Sequence, residues 1–67
     1  MNMQDSITFL TIKELSKYLH ISEDLAYDLI HYEDFPYIRI GRKILVPQER
    51  LNVWLNKKMF TTIDLEQ

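Results

Sequence analysis

The chain has 67 residues, no cysteine, one glycine and a formal net charge of −2 at pH 7. A chain of this length makes one domain that buries only about 60% of the surface its unfolded form exposes. The lack of cysteine excludes a disulfide framework and a thiolate metal site, and points to a reducing, cytoplasmic setting. Apolar runs are short and interrupted by charges, with no charged leader ahead of an apolar core, so neither a membrane span nor a signal peptide is expected.

The first eight residues have no hydrophobic period and are expected to form a flexible arm, with Phe9 and Leu10 anchoring it to the core. Thr11 and Glu14 then have the spacing of a capping box, and Leu10 and Leu15 that of a hydrophobic staple, so a helix is predicted to start at Ile12. Ile12, Leu15 and Leu19 make its apolar stripe, leaving Lys13, Glu14 and Lys17 to water. His20 and Ile21 break the pattern, His20 serving to cap or to pack. Ser22 offers a second N-cap, followed by Glu23 and Asp24, whose charges suit a helix N-terminus. The second helix, from Ser22 to His31, buries Ala26, Leu29 and Ile30 and leaves Glu23, Asp24, Leu25, Tyr27, Asp28 and His31 on or near its open face. Two short helices joined by so tight a turn make a helix-turn-helix, in which that open face is the reading face.

Phe35 is forced extended by Pro36, and two alternating strands flank Gly41, Arg42 and Lys43. Burial favours a three-residue loop that pairs Ile40 with Ile44 and gathers Ile38, Ile40, Ile44 and Val46 on one face, although glycine in first place suits a two-residue turn. Pro47 then leads into a third helix with Leu51, Trp54 and Leu55 as its stripe. Glu49 near its start and Lys57 and Lys58 near its end match the helix dipole. Beyond it, Phe60, Ile63 and Leu65 make no convincing period, so residues 59–67 form a tail that packs or waits for a partner.

Charge is strongly segregated. Residues 1–35 hold two lysines against seven carboxylates, a balance of −5, whereas residues 36–58 hold six cations against Glu49, a balance of +5. A bipolar chain can meet partners of either sign.

The segments FLTIKELSKYL, Ser22 with Ala26-Tyr27-Asp28-Leu29-Ile30, and FPYIRIGRKILVP followed by LNVWL carry a resemblance over roughly three quarters of the chain. In content and order they resemble the excisionase-type, MerR-like winged helix-turn-helix family of small bacterial, phage and mobile-element proteins. The resemblance implies a mainly α fold with a small β-hairpin: helix-turn-helix, hairpin wing, helix, within residues 9–58. It also implies a DNA-binding accessory or regulatory protein, either a recombination directionality factor or a transcriptional regulator. The second helix would lie toward the major groove and the wing on the backbone of double-stranded DNA, with the protein on the nucleoid when bound. On that reading Arg39, Arg42 and Lys43 grip phosphate, Lys13, Lys17 and Arg50 assist, and Ser22, Glu23, Asp24, Tyr27, Asp28 and His31 face DNA or a partner.

The chain departs from that family in its reading helix, which holds no lysine or arginine and has Glu23, Asp24 and Asp28 where basic or small polar residues are usual. Carboxylates can accept from cytosine N4 but are unfavourable beside phosphates. The alternative is a protein-interaction module whose acidic helix binds a basic partner such as a recombinase or repressor. Asp24, Asp28 and His31 share one helix face, as metal ligands or an acid-base pair would, but exposed helix charges commonly fall this way. With no nucleophile-base pair, phosphate-cradling glycine loop or metal spacing, the sequence predicts no enzyme, no cofactor and no metal.

Overall fold

The computed structural model describes residues 7–65, so six of the eight residues of the expected arm lie outside it. In helix α1 (Ile12–Leu19), the Thr11 hydroxyl accepts from the Glu14 amide at 3.1 Å while the Glu14 carboxylate accepts from the Thr11 amide at 2.9 Å, completing the capping box. The helix stops because His20 turns left-handed at φ 60°. The His20 N–H then donates to Lys17 O and the Ile21 N–H to Ser16 O, the paired bonds of a Schellman motif. His20 therefore caps with its backbone, while its side chain is exposed. Two residues later the Ser22 hydroxyl accepts from the Leu25 amide at 3.1 Å and opens α2 (Glu23–Leu29) on a new axis. This helix is shorter than expected: Ile30 is its C-cap and His31 lies in the turn beyond.

The sheet differs from expectation in two ways. Phe9–Leu10 is not merely an anchor but a strand, β1, which pairs antiparallel with β3 (Lys43–Pro47), while β3 pairs on its other side with β2 (Ile38–Ile40), giving the order β1-β3-β2. The hairpin register is Ile40 with Lys43 and Arg39 with Ile44, so the loop is the two-residue turn Gly41-Arg42 and the expected Ile40–Ile44 pairing is wrong. Gly41 sits at φ 62° and Arg42 outside the left-handed region, as in a type II′ turn, whose twist matches that of the strands. Turn chemistry prevailed over burial. Ile38 and Ile40, 44% and 60% exposed, lie on the sheet's outer face, while Ile44 and Val46 are buried in the core. Phe9 pairs with Pro47, so it too lies away from the core face, which Leu10 joins opposite Val46.

Helix α3 (Gln48–Lys57) follows β3 directly, with Pro47 at the N-cap. Pro47 supplies no side-chain cap, but the first helical amide, Gln48 N–H, donates to Thr8 O at 2.9 Å, so the segment leading into β1 satisfies one orphan donor of α3. Leu51 and Trp54 pack into a core with Leu15, Ala26, Leu29, Ile30, Phe35, Ile44 and Val46. The Trp54 ring meets Phe35 edge-on with centroids 4.9 Å apart and Tyr32 at 6.0 Å, and Lys58 Nζ lies 5.7 Å from its centroid. After α3 the chain turns at Phe60, φ 68°, held by two hydrogen bonds from Thr61 to Lys58 O, and then lays Ile63 and Leu65 against the core.

Two stability measurements follow from this packing. Trp54→Ala should cost about 3–5 kcal/mol in thermal or urea unfolding, as aromatic truncations in cores do. Trp54→Phe should keep most of the stability, since it retains a ring between Phe35 and Tyr32 and removes an indole N–H that is buried without a partner. For the register, Ile40→Thr should leave stability within about 0.5 kcal/mol, whereas Ile44→Ala should cost about 2–5 kcal/mol. Equal losses at the two positions would restore the three-residue loop.

Candidate nucleic-acid interface

The side chains of Ser22, Glu23, Asp24 and Tyr27 are all exposed around the N-terminal half of α2, where the first-turn carboxylates face the positive end of the helix dipole. Tyr27 also stacks edge-on with His31, centroids 5.3 Å apart, so the aromatic surface continues past the helix end. Asp28 differs from these: it is half-buried, and with His31 and Tyr32 it borders a shallow depression closed on the other side by Asp64 and Leu65 of the tail. The tail therefore reaches the C-terminal end of α2, something no periodicity in residues 59–65 announced. Leu25 lines an apolar cleft and so belongs less to the open face than its spacing suggested.

The wing cations do not share a face. Arg42 stands in the turn, Lys43 opens β3 on the outer face opposite Ile40, and Arg39 lies on the same face as Ile44 at the edge strand. All three are exposed, so the hairpin offers positive charge in several directions around its tip. From Phe35 to Gln48 there is no carboxylate to offset it.

Lys13 and Lys17 are exposed on α1, whose Tyr18 hydroxyl donates to Asn52 Oδ1 of α3 at 2.7 Å and ties the two helices across the surface. Arg50 is exposed on α3 and lines an open depression of about 190 Å³ together with Asp34, Pro36, Lys57 and Lys58. Sequence reasoning suggested Arg50 but took Lys57 and Lys58 only as partners of the helix dipole. Their convergence with Arg50 follows from helical spacing, and the approach of Asp34 and Pro36 follows from Phe35 docking on Trp54.

Among the described residues no three His, Cys, Asp or Glu side chains are placed to hold a metal ion, and no helix is long and apolar enough to cross a membrane. The arrangement is thus an exposed acidic helix at a tight turn, a basic hairpin and a cationic face on the last helix. Its architecture, three helices with a small antiparallel sheet, is that of a winged helix-turn-helix. Neither a curated protein nor a solved structure matches the chain. A family model described as a helix-turn-helix domain does match, over residues 9–59, from β1 to just beyond α3. The chain therefore belongs to that helix-turn-helix family of DNA-binding domains.

Proposed function

We propose that the protein is a small DNA-binding accessory or regulatory protein of the excisionase-like, MerR-like kind, which presents α2 to the major groove and its wing to the backbone. The observation that carries this reading is the family's helix-turn-helix with α2 open to solvent, followed by a hairpin whose exposed charges are all positive. Arg42 and Lys43 at the turn, with Arg39 beside them, supply phosphate neutralisation, which is most of the non-specific affinity of any DNA-binding protein. Lys13, Lys17 and Arg50 add to it. Ser22, Glu23, Asp24 and Tyr27 then meet the groove, where a carboxylate can accept from cytosine N4 and a tyrosine can contact base or backbone. The acidic residues lower affinity for DNA in general and so sharpen the distinction between a preferred site and the rest. Such a protein acts in the cytoplasm, on the nucleoid.

A second reading is favoured by the charge pattern itself. From Tyr18 to Pro36 the chain has five carboxylates and no lysine or arginine, and Glu23, Asp24 and Tyr27 form a continuous exposed face. That face suits a basic protein surface, such as that of a recombinase or repressor, with the wing alone on DNA.

Two experiments separate the readings. In a salt titration with random duplex DNA, Arg42→Ala with Lys43→Ala should weaken binding to all sequences and flatten the slope of log K against log salt by about 0.9 for each phosphate no longer neutralised. An unchanged slope removes the wing from the mechanism. Glu23→Lys with Asp24→Lys should raise non-specific affinity and steepen the slope if α2 enters the groove, because repulsion beside phosphates becomes attraction. A flat DNA response, with capture of a co-encoded recombinase or repressor abolished, would move α2 from DNA to protein.

A further inference from the structure

Between the α1–α2 turn, the last turns of α3 and the tail lies a cleft of about 330 Å³ walled by aliphatic side chains: Leu19, Ile21, Leu25 and Leu55, with Ile63 and Leu65 from the tail. Leu29 and Trp54, both almost fully buried, lie at its floor. With no charged side chain in the lining, the cleft suits hydrocarbon or an aromatic ring. Beside it, Phe60 is fully exposed, the most exposed large apolar side chain among the described residues.

Phe60 is held out by its backbone. At φ 68° it occupies the left-handed region that bulky residues avoid, and the Thr61 amide and hydroxyl both bond Lys58 O, at 3.2 and 2.6 Å, to keep the turn closed. Phe60 is three residues from Ile63 and five from Leu55, both on the cleft, so knob and cleft are close neighbours: three residues span at most about 11 Å. Its own cleft does not cover Phe60. Met59 and Val53, each about half exposed, extend the apolar surface around it.

A knob and a hole side by side on one surface are self-complementary under a two-fold rotation, which seats the knob of each copy in the hole of the other. We propose that the protein forms a closed homodimer in which Phe60 of each protomer inserts into the apolar cleft of its partner, with Leu25, Ile63 and Leu65 around the inserted ring. A second copy is the occupant that covers both features with one repeated contact, and neither the knob nor the cleft lining carries charge that would oppose its own image. The dimer does not depend on the DNA reading. It does place α2, through Leu25, beside the two-fold axis.

The test is mass against concentration for the protein alone, by sedimentation equilibrium or light scattering, together with Trp54 fluorescence, since Trp54 is the only tryptophan and lines the cleft. The expected result is a monomer–dimer equilibrium that stops at two copies, with Trp54 emission changing over the same concentration range. Phe60→Glu should raise the dimer dissociation constant more than about tenfold and abolish the emission change, with the melting temperature of the monomer unaltered because the Phe60 side chain is fully exposed in its own chain. Phe60→Trp should dimerise and show a blue-shifted second indole. A wild type that stays monomeric at all concentrations, assembly that grows beyond two copies, or a Phe60→Glu variant that dimerises like the parent would each overturn the proposal.

Discussion

Trp54 holds the protein together, because its ring is the surface on which Phe35 and Tyr32 close, and these two residues carry the chain from the end of α2 to the start of the wing. Were that contact absent, the acidic loop at Glu33 and Asp34 would leave the hairpin free to swing relative to α2. The wing and the helix could then not be presented together. A domain of this size has little other apolar surface with which to fix an angle, and the stability of the fold and the geometry of its interface thus rest on one aromatic cluster.

Much of the fold was legible because it is written locally. The capping box at Thr11 and Glu14, the Ser22 cap, and the stripes ending in Leu51 and Trp54 are short-range signals whose partners lie within four residues. What was misread depends on partners far away. β1 is two residues long, too short to show alternation, and exists because β3 offers it an edge. In the hairpin, the assumption that all β-branched residues seek the core outweighed the glycine, and the single glycine of the chain proved the better guide. The tail was illegible for the same reason: Ile63 and Leu65 pack on a surface assembled from three other elements, with no period of their own.

The candidate interface shows the same division. Exposure of Glu23, Asp24 and Tyr27 follows from helical spacing alone, and exposure of Arg42 and Lys43 from their place at a turn. The separation of Asp28 from its acidic neighbours was not foreseeable, because only the returning tail distinguishes it. Nor was the gathering of Arg50, Lys57 and Lys58 around the Asp34–Pro36 corner, which needs the Phe35–Trp54 contact to bring a loop against a helix. Charge segregation along the sequence thus becomes segregation between elements, an acidic helix before the aromatic cluster and a basic wing after it.

The bond from Gln48 N–H to Thr8 O, with the two-residue strand beside it, has a consequence for how the chain acquires its shape as it is made. The segment around Thr8 to Leu10 is synthesised early, yet both of its partners, β3 and the first turn of α3, come about forty residues later. On the ribosome α1 and α2 can form on their caps as soon as they emerge, but their apolar faces stay uncovered until the last helix arrives. Closing this clasp is a non-local step that must await nearly the whole domain, so the growing chain passes through a stage in which paired helices expose Leu15, Ala26 and Ile30 to whatever is nearby.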